Sequence, residues 1–219
     1  LKSSHCDRVL TVTMTGLQPA LGAGFGCGTI VGMDSLRPRR SVLFMPGANA
    51  RALEKARSID CDGIIIDLED AVAPDLKVEA RERAAGVVKE HPYGYREVAI
   101  RVNGMDTQWY HDDLAAAVAA GPDAIAVPKV GSAEHVHAIV ADMEAAGADE
   151  SVKLWAMIET PRAVLDCLDI AEASDRLTVL IMGTNDLTKE LRASHVAGRA
   201  PVVTCLLYTS PSPRDLSTS

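Results

Sequence analysis

The chain has 219 residues, of which 47% are hydrophobic, 24% charged and 4% aromatic, enough to bury a core of ordinary globular composition. Its 22 Lys and Arg against 30 Asp and Glu give a formal net charge of -8, which argues against nucleic acid as a partner, because neutralising phosphates takes clustered cations. No apolar run reaches the ~18 residues that span a bilayer, and the 5 cysteines form no C-x-x-C pair, so a reducing, cytoplasmic setting is expected rather than a disulfide framework or a structural zinc site.

Residues 1–38 hold Gly22, Gly24, Gly26 and Gly28 without a sustained period. They read as an irregular leader outside the fold, with a native start near Met33; were they a targeting segment, the mitochondrial matrix would replace the cytoplasm. From Arg39 onward the pattern alternates. Short β-branched or apolar runs at Ser41–Met45, Gly63–Leu68, Glu97–Val102, Ala124–Val127, Lys153–Ile158 and Thr178–Met182 predict strands. Amphipathic stretches at Ala48–Ser58, Leu76–Glu90, Trp109–Ala120, Ala133–Ala146 and Ala163–Ala173 predict helices, and a further helix begins near Asp186. In Ala133–Ala146, Val136, Ile139, Val140 and Met143 fall at helical spacing and form one buried face. Residues 205–219, rich in Ser, Thr and Pro, read as a disordered or artefactual tail.

Continuous apolar strands alternating with helices imply βαβ units and an α/β fold with a parallel sheet. Polar residues follow every strand: Pro46-Gly47, Glu69-Asp70, Arg101-Val102-Asn103, Pro128-Lys129, Glu159-Thr160 and Gly183-Thr184-Asn185-Asp186. Polar groups at the carboxyl ends of many strands converge on one mouth in a barrel, whereas an open doubly wound sheet concentrates them at one switch point. These positions do not decide between the two, and the favoured expectation is a TIM (β/α)8-type barrel over residues 39–204, truncated after about six βα units. No G-x-G-x-x-G follows the first strand and no Walker loop is present.

The end of each strand offers candidate chemistry. Glu159 and Asp186 each follow an apolar strand. Two such carboxylates on consecutive strands suit one Mg²⁺, or they cap the helices that follow. Arg101 suits bidentate capture of a substrate carboxylate, or an ion pair with Glu69 or Asp70 of the neighbouring strand. Glu69 and Asp70 end a strand of three isoleucines, with Asp67 and Glu69 expected on one side and Leu68 and Asp70 on the other. Arg51 and Lys55 lie at i and i+4, so they share a helical face that either binds phosphates or is merely solvated. Lys129 as a Schiff-base lysine has no support nearby, and His135 and His137 lie on different faces.

Taken together, Phe44-x-Pro46-Gly47, Asp67-Leu68-Glu69-Asp70, Arg101-Val102-Asn103, Pro128-Lys129, Ile158-Glu159-Thr160 and Gly183-Thr184-Asn185-Asp186-Leu187 resemble the citrate lyase β-subunit-like branch of the HpcH/HpaI aldolase family. The resemblance runs from Arg39 to Thr204. It implies a TIM barrel that binds Mg²⁺, acts on malyl-, citramalyl- or citryl-CoA, and assembles as a trimer or hexamer. It implies Glu159 and Asp186 as metal ligands. It implies Arg101, Glu159, Gly183 and Thr184 around the substrate, with Arg101, Glu69 and Asp70 serving the chemistry. Phe44, Arg51 and Lys55 would line the approach of the CoA that forms part of the substrate. Family members also continue past the point matching Thr204, with the last strands and a further acidic residue. The reaction so implied is retro-Claisen cleavage to an oxo-acid and a short acyl-CoA. A class II pyruvate-type aldolase without CoA and a non-catalytic fragment or binding subunit are the competing readings.

Overall fold

The computed structural model describes residues 11–12 and 39–208. Six parallel strands alternate with helices. They are β2 (Val42–Pro46), β3 (Gly63–Asp67), β4 (Glu97–Arg101), β5 (Ala124–Val127), β6 (Lys153–Ile158) and β7 (Leu177–Met182). Each is hydrogen-bonded to the next in the chain, so the spatial order is the sequence order. A doubly wound sheet would reverse direction at a switch point. Winding one way throughout is barrel geometry, and it settles the choice left open by the polar strand ends. Among the described residues the sheet is not closed: β2 forms one margin, and the two-residue strand β1 (Thr11–Val12) the other, antiparallel on β7. The rest of the stretch read as a leader lies outside the described residues.

The helices are α1 (Ala50–Ala56), α2 (Lys77–Lys89), α3 (Tyr110–Ala120), α4 (Ala133–Ala145), α5 (Pro161–Leu165), α6 (Cys167–Glu172), α7 (Thr184–Glu190) and α8 (Ala200–Tyr208). Local chemistry fixes their starts. Asn49, Ser132 and Thr160 accept from main-chain N–H groups in the first turns of α1, α4 and α5. Gly121, at φ 69°, closes α3 in the left-handed conformation. The single helix expected over Ala163–Ala173 is instead two pieces meeting at Asp166, and it starts earlier because Thr160 caps it and Pro161 suits its first position. Helix α8 packs on α7 and buries Val202. Residues 205–208 are therefore helical, where the sequence suggested the start of an unstructured tail.

Two apolar clusters flank the sheet. The larger lies between strands and helices and includes Ile64, Ile66, Ile100, Ile125, Val136 and Ile139. The smaller consists of strand side chains on the other face, among them Ile65, Ala99, Ala126, Trp155 and Ile181. Its fully buried Trp155 fits beside alanines of β4 and β5, the alternation of large and small that fills a barrel interior. At the carboxyl ends of the strands this inner face gives way to polar side chains.

Candidate active site

A cavity of about 700 Å³ opens at the carboxyl ends of the strands. One side is built on β3 and β4. Asp67 and Arg101 are lateral partners in the parallel ladder, so both side chains rise from the same row. Arg101 donates Nε to Oδ1 of Asp67 at 2.7 Å and Nη2 to Oδ2 at 2.6 Å, a bidentate pair between a carboxylate that is 1% exposed and a guanidinium that is 6% exposed. The main-chain N–H groups of Glu69 and Ala71 also donate to Asp67. The Phe44 ring lies 5.0 Å from the guanidinium carbon. Burial works against the charge on Arg101, but the hydrogen bonds and charge of Asp67, with Glu69 and Asp70 behind it, outweigh that and hold it protonated more firmly than an ordinary arginine.

The ion pair expected for Arg101 was with Glu69 or Asp70. Its main partner is Asp67, with Glu69 Oε2 at 2.8 Å and the exposed Asp70 at 3.7 Å. The strand ends at Asp67 and the chain turns, so simple alternation past that point does not hold. Leu68 goes to the outer core while Asp67, Glu69 and Asp70 all gather around Arg101. Glu69 Oε2 meets Arg101 without hydrogen-bond alignment and has no other partner among the described residues. Burial pushes the Glu69 carboxyl up to about 7, against the pull of Arg101 and with help from Asp70, Glu159 and Asp67.

The other side is built on β6 and β7. Glu159 follows Ile158, is 3% exposed, and accepts one hydrogen bond among the described residues, from the Lys129 main-chain N–H to Oε2 at 2.9 Å. Burial holds its carboxyl above the usual range; the Lys129 N–H opposes this and the charge of Asp186 adds to it. Asp186 lies in the first turn of α7, half-buried, on the same cavity. Neither carboxylate caps a helix: Thr160 caps α5, and α7 has already begun at Thr184. The capping alternative therefore falls for both. Gly183 and Thr184 line the cavity between them.

This donor set fits Mg²⁺. Two carboxylates of adjacent strands face one space, and Mg²⁺ takes only oxygen ligands while keeping several for water or substrate. No group of three or more His, Cys, Asp and Glu able to hold a metal exists among the described residues, so a softer, fully protein-ligated ion does not fit. Lys129 brings its ammonium to 3.8 Å from Glu69 Oε1. Arg51 and Lys55 are exposed on α1, do not line the cavity, and make no side-chain ion pair among the described residues.

Several contributors went unseen in the sequence. Lys77, 5% exposed, donates to the carbonyls of Leu68 and Glu69 and to Asn103 Oδ1, each at 2.7 Å. Asn103 in turn donates to Leu68 O and to the fully buried Asp113, which pairs with Arg81. This network ties the ends of β3 and β4 together beneath Glu69. Nothing in the helical pattern around Lys77 marks it off from a surface lysine. His195, Ser194 and Val196 also line the cavity, from the segment joining α7 to α8.

Residues 40–207 match the HpcH/HpaI aldolase/citrate lyase family. A (3S)-malyl-CoA thioesterase of Cereibacter sphaeroides is 47% identical over 174 residues, 78% of this chain and 59% of its own length. Citrate lyase subunit beta of Escherichia coli K12 is 35% identical over 177 residues, 78% of this chain and 57% of that protein. Among solved structures, CitE from Mycobacterium tuberculosis in complex with magnesium, acetoacetate and coenzyme A superposes with a TM-score of 0.57 at 26% identity, covering 77% of this chain and 60% of that one. The chain thus spans less than two thirds of the length of these relatives.

Proposed function

Since the chain belongs to the HpcH/HpaI aldolase/citrate lyase family, we propose that the complete protein is an Mg²⁺-dependent enzyme acting on the CoA thioester of a hydroxy-dicarboxylic acid of the malyl type. The observation that carries this reading is the cavity shared by Glu159, Asp186 and Arg101. It offers two carboxylates to a divalent ion and a buried guanidinium to a substrate carboxylate.

Glu159 and Asp186 would hold the ion, which when bound would supply Lewis-acid polarisation of substrate oxygen. Arg101 has five N–H groups. Asp67 takes Nε–H and one hydrogen of Nη2, and Nη1 faces Glu69 Oε2 at 2.8 Å and Met157 Sδ at 3.8 Å, so the second Nη2 hydrogen is the donor left for the free carboxylate of the acyl group. The Asp67 pair fixes the plane of the guanidinium before substrate arrives, which spares the cost of orienting it. Glu69, with its carboxyl pushed up to about 7, exchanges a proton near neutral pH, as a general acid–base must.

Hydrolysis is the first reading of the bond broken, favoured by 47% identity to a malyl-CoA thioesterase. Glu69 takes a proton from water as the water oxygen adds to the thioester carbonyl; the C–S bond then breaks and Glu69 returns the proton to the sulfur, which leaves as the CoA thiol. Carbon–carbon cleavage is the second, favoured by 35% identity to citrate lyase subunit beta. There Glu69 takes the proton of the substrate hydroxyl, the bond to the thioester α-carbon breaks with its electron pair staying on that carbon, and the same proton returned to it gives acetyl-CoA beside an oxo-acid. Malyl-CoA given to the full-length protein with Mg²⁺ decides: malate and CoA mean hydrolysis, an oxo-acid and acetyl-CoA mean cleavage. Turnover in either form should fall by about 100-fold or more in Glu159→Gln. Neither product pair, or an undiminished Glu159→Gln, overturns the proposal.

A further inference from the structure

We infer that Gly183 and the main chain of Lys129 form a clamp that sets the Glu159 carboxylate for the divalent ion, a positioning role that rests on the metal reading above. The parallel register pairs Ile158 with Met182, and the Gly183 N–H donates to the Ile158 carbonyl at 3.0 Å. Residues 159 and 183 therefore leave their strands side by side. A Cβ at 183 would stand 2.5 Å from Cγ and 2.8 Å from Cδ of Glu159, and closer still to Oε1. No non-bonded atoms sit that close, so any side chain at 183 displaces the carboxylate. Gly183 itself has φ -80° and ψ 79°, a backbone that other residues also adopt. Glycine serves here to leave room, not to allow a turn.

The opposite edge of the carboxylate is held by main chain. Lys129 adopts φ 56°, in the left-handed region that a non-glycine residue seldom occupies, and its N–H donates to Oε2. Oε2 is thus pinned by an N–H from the end of β5, while the Oε1 side fits the notch left by glycine on β7. The two contacts come from different strands and define the orientation of a side chain that is 3% exposed. Groups that orient a metal-binding carboxylate control metal affinity.

The test is titration of the full chain with Mg²⁺ or Mn²⁺ alone, by calorimetry, beside the thermal transition of the metal-free protein. Gly183→Ala should weaken binding by about 10- to 100-fold while the metal-free transition stays cooperative. In a Glu159→Ala background neither Cγ nor the carboxylate remains to meet the added Cβ, so Gly183→Ala should lower the metal-free melting temperature less there than in the wild-type background. Should Gly183→Ala alone fail to fold, recovery of a cooperative transition on adding Glu159→Ala reads the same clash. Equal losses in both backgrounds, or wild-type affinity in Gly183→Ala, overturn the clamp and leave the metal reading standing. A wild-type chain that takes up neither ion removes that reading, and the clamp with it.

Discussion

The two sides of the cavity solve opposite electrostatic problems. On the β3–β4 side a buried cation is matched in advance: Arg101 has Asp67 on one edge and Glu69 at 2.8 Å on Nη1. On the β6–β7 side Glu159 has a single main-chain N–H, and Asp186 across from it adds like charge. A buried charge without a partner is costly, so Arg101 has its counter-charges within the protein, while Glu159 and Asp186 have none of opposite sign in direct side-chain ion pairs printed among the described residues and fit the cation of the proposed function. The contrast sets a charge balanced by its neighbours beside a pair of like charges within one pocket.

The contrast breaks most visibly if both sides respond alike to neutralisation. Arg101→Met leaves the Asp67 carboxylate buried without its cation and should cost about 3–5 kcal/mol in urea unfolding; a loss below about 1 kcal/mol would mean the pair does not hold this side. Glu69 sharpens the point through pH. Its folded carboxyl is raised to about 7, so its contribution to stability is full below the ordinary carboxylate range and is lost as pH rises through 7. Metal-free protein should lose about 3 kcal/mol between pH 4.5 and 8 on this account, and Glu69→Gln should flatten that part of the profile.

Lys77→Met removes one donor from three oxygens beneath Glu69 and should cost about 1–3 kcal/mol in the same assay. On the other side the sign reverses: Asp186→Asn in metal-free protein should be neutral or stabilising by up to about 1 kcal/mol, while Mg²⁺ should raise the melting temperature of the wild type and not that of the variant. Destabilisation there would erase the distinction between the two sides. The smallest effect belongs to the exposed face of α1. Charge reversal of Arg51 and Lys55 should raise KM for a CoA ester by about 3- to 10-fold, fading as salt screens it, with no change in melting temperature.

Much of this site was legible before any coordinates. Glu159 and the Arg101 guanidinium stand out because each ends an apolar run, where an ionised group is conspicuous: Glu159 after Trp155-Ala156-Met157-Ile158, Arg101 after Val98-Ala99-Ile100. Asp67 was harder. It sits inside Asp67-Leu68-Glu69-Asp70, and choosing among three acids requires knowing that the strand stops at Asp67 and that residue 67 stands beside 101 in the ladder. Lys77 and Asp113 carried no signal, since each occupies a helix where charge is routine. The arrangement of helix and bend at Asp166 likewise escaped the periodicity, which does not register a local change of axis.

The sequence by itself determined the alternation of apolar strands and amphipathic helices, and with it a parallel α/β sheet whose polar strand ends share one rim; period and residue type are local quantities. Only the tertiary structure decided that the strands wind in a single direction, that Arg101 turns to Asp67, and that the space beside Glu159 depends on a glycine one strand away. Those are relations between residues distant in the chain, fixed by inter-strand register and by which atoms exclude one another, and no stretch of sequence encodes them alone.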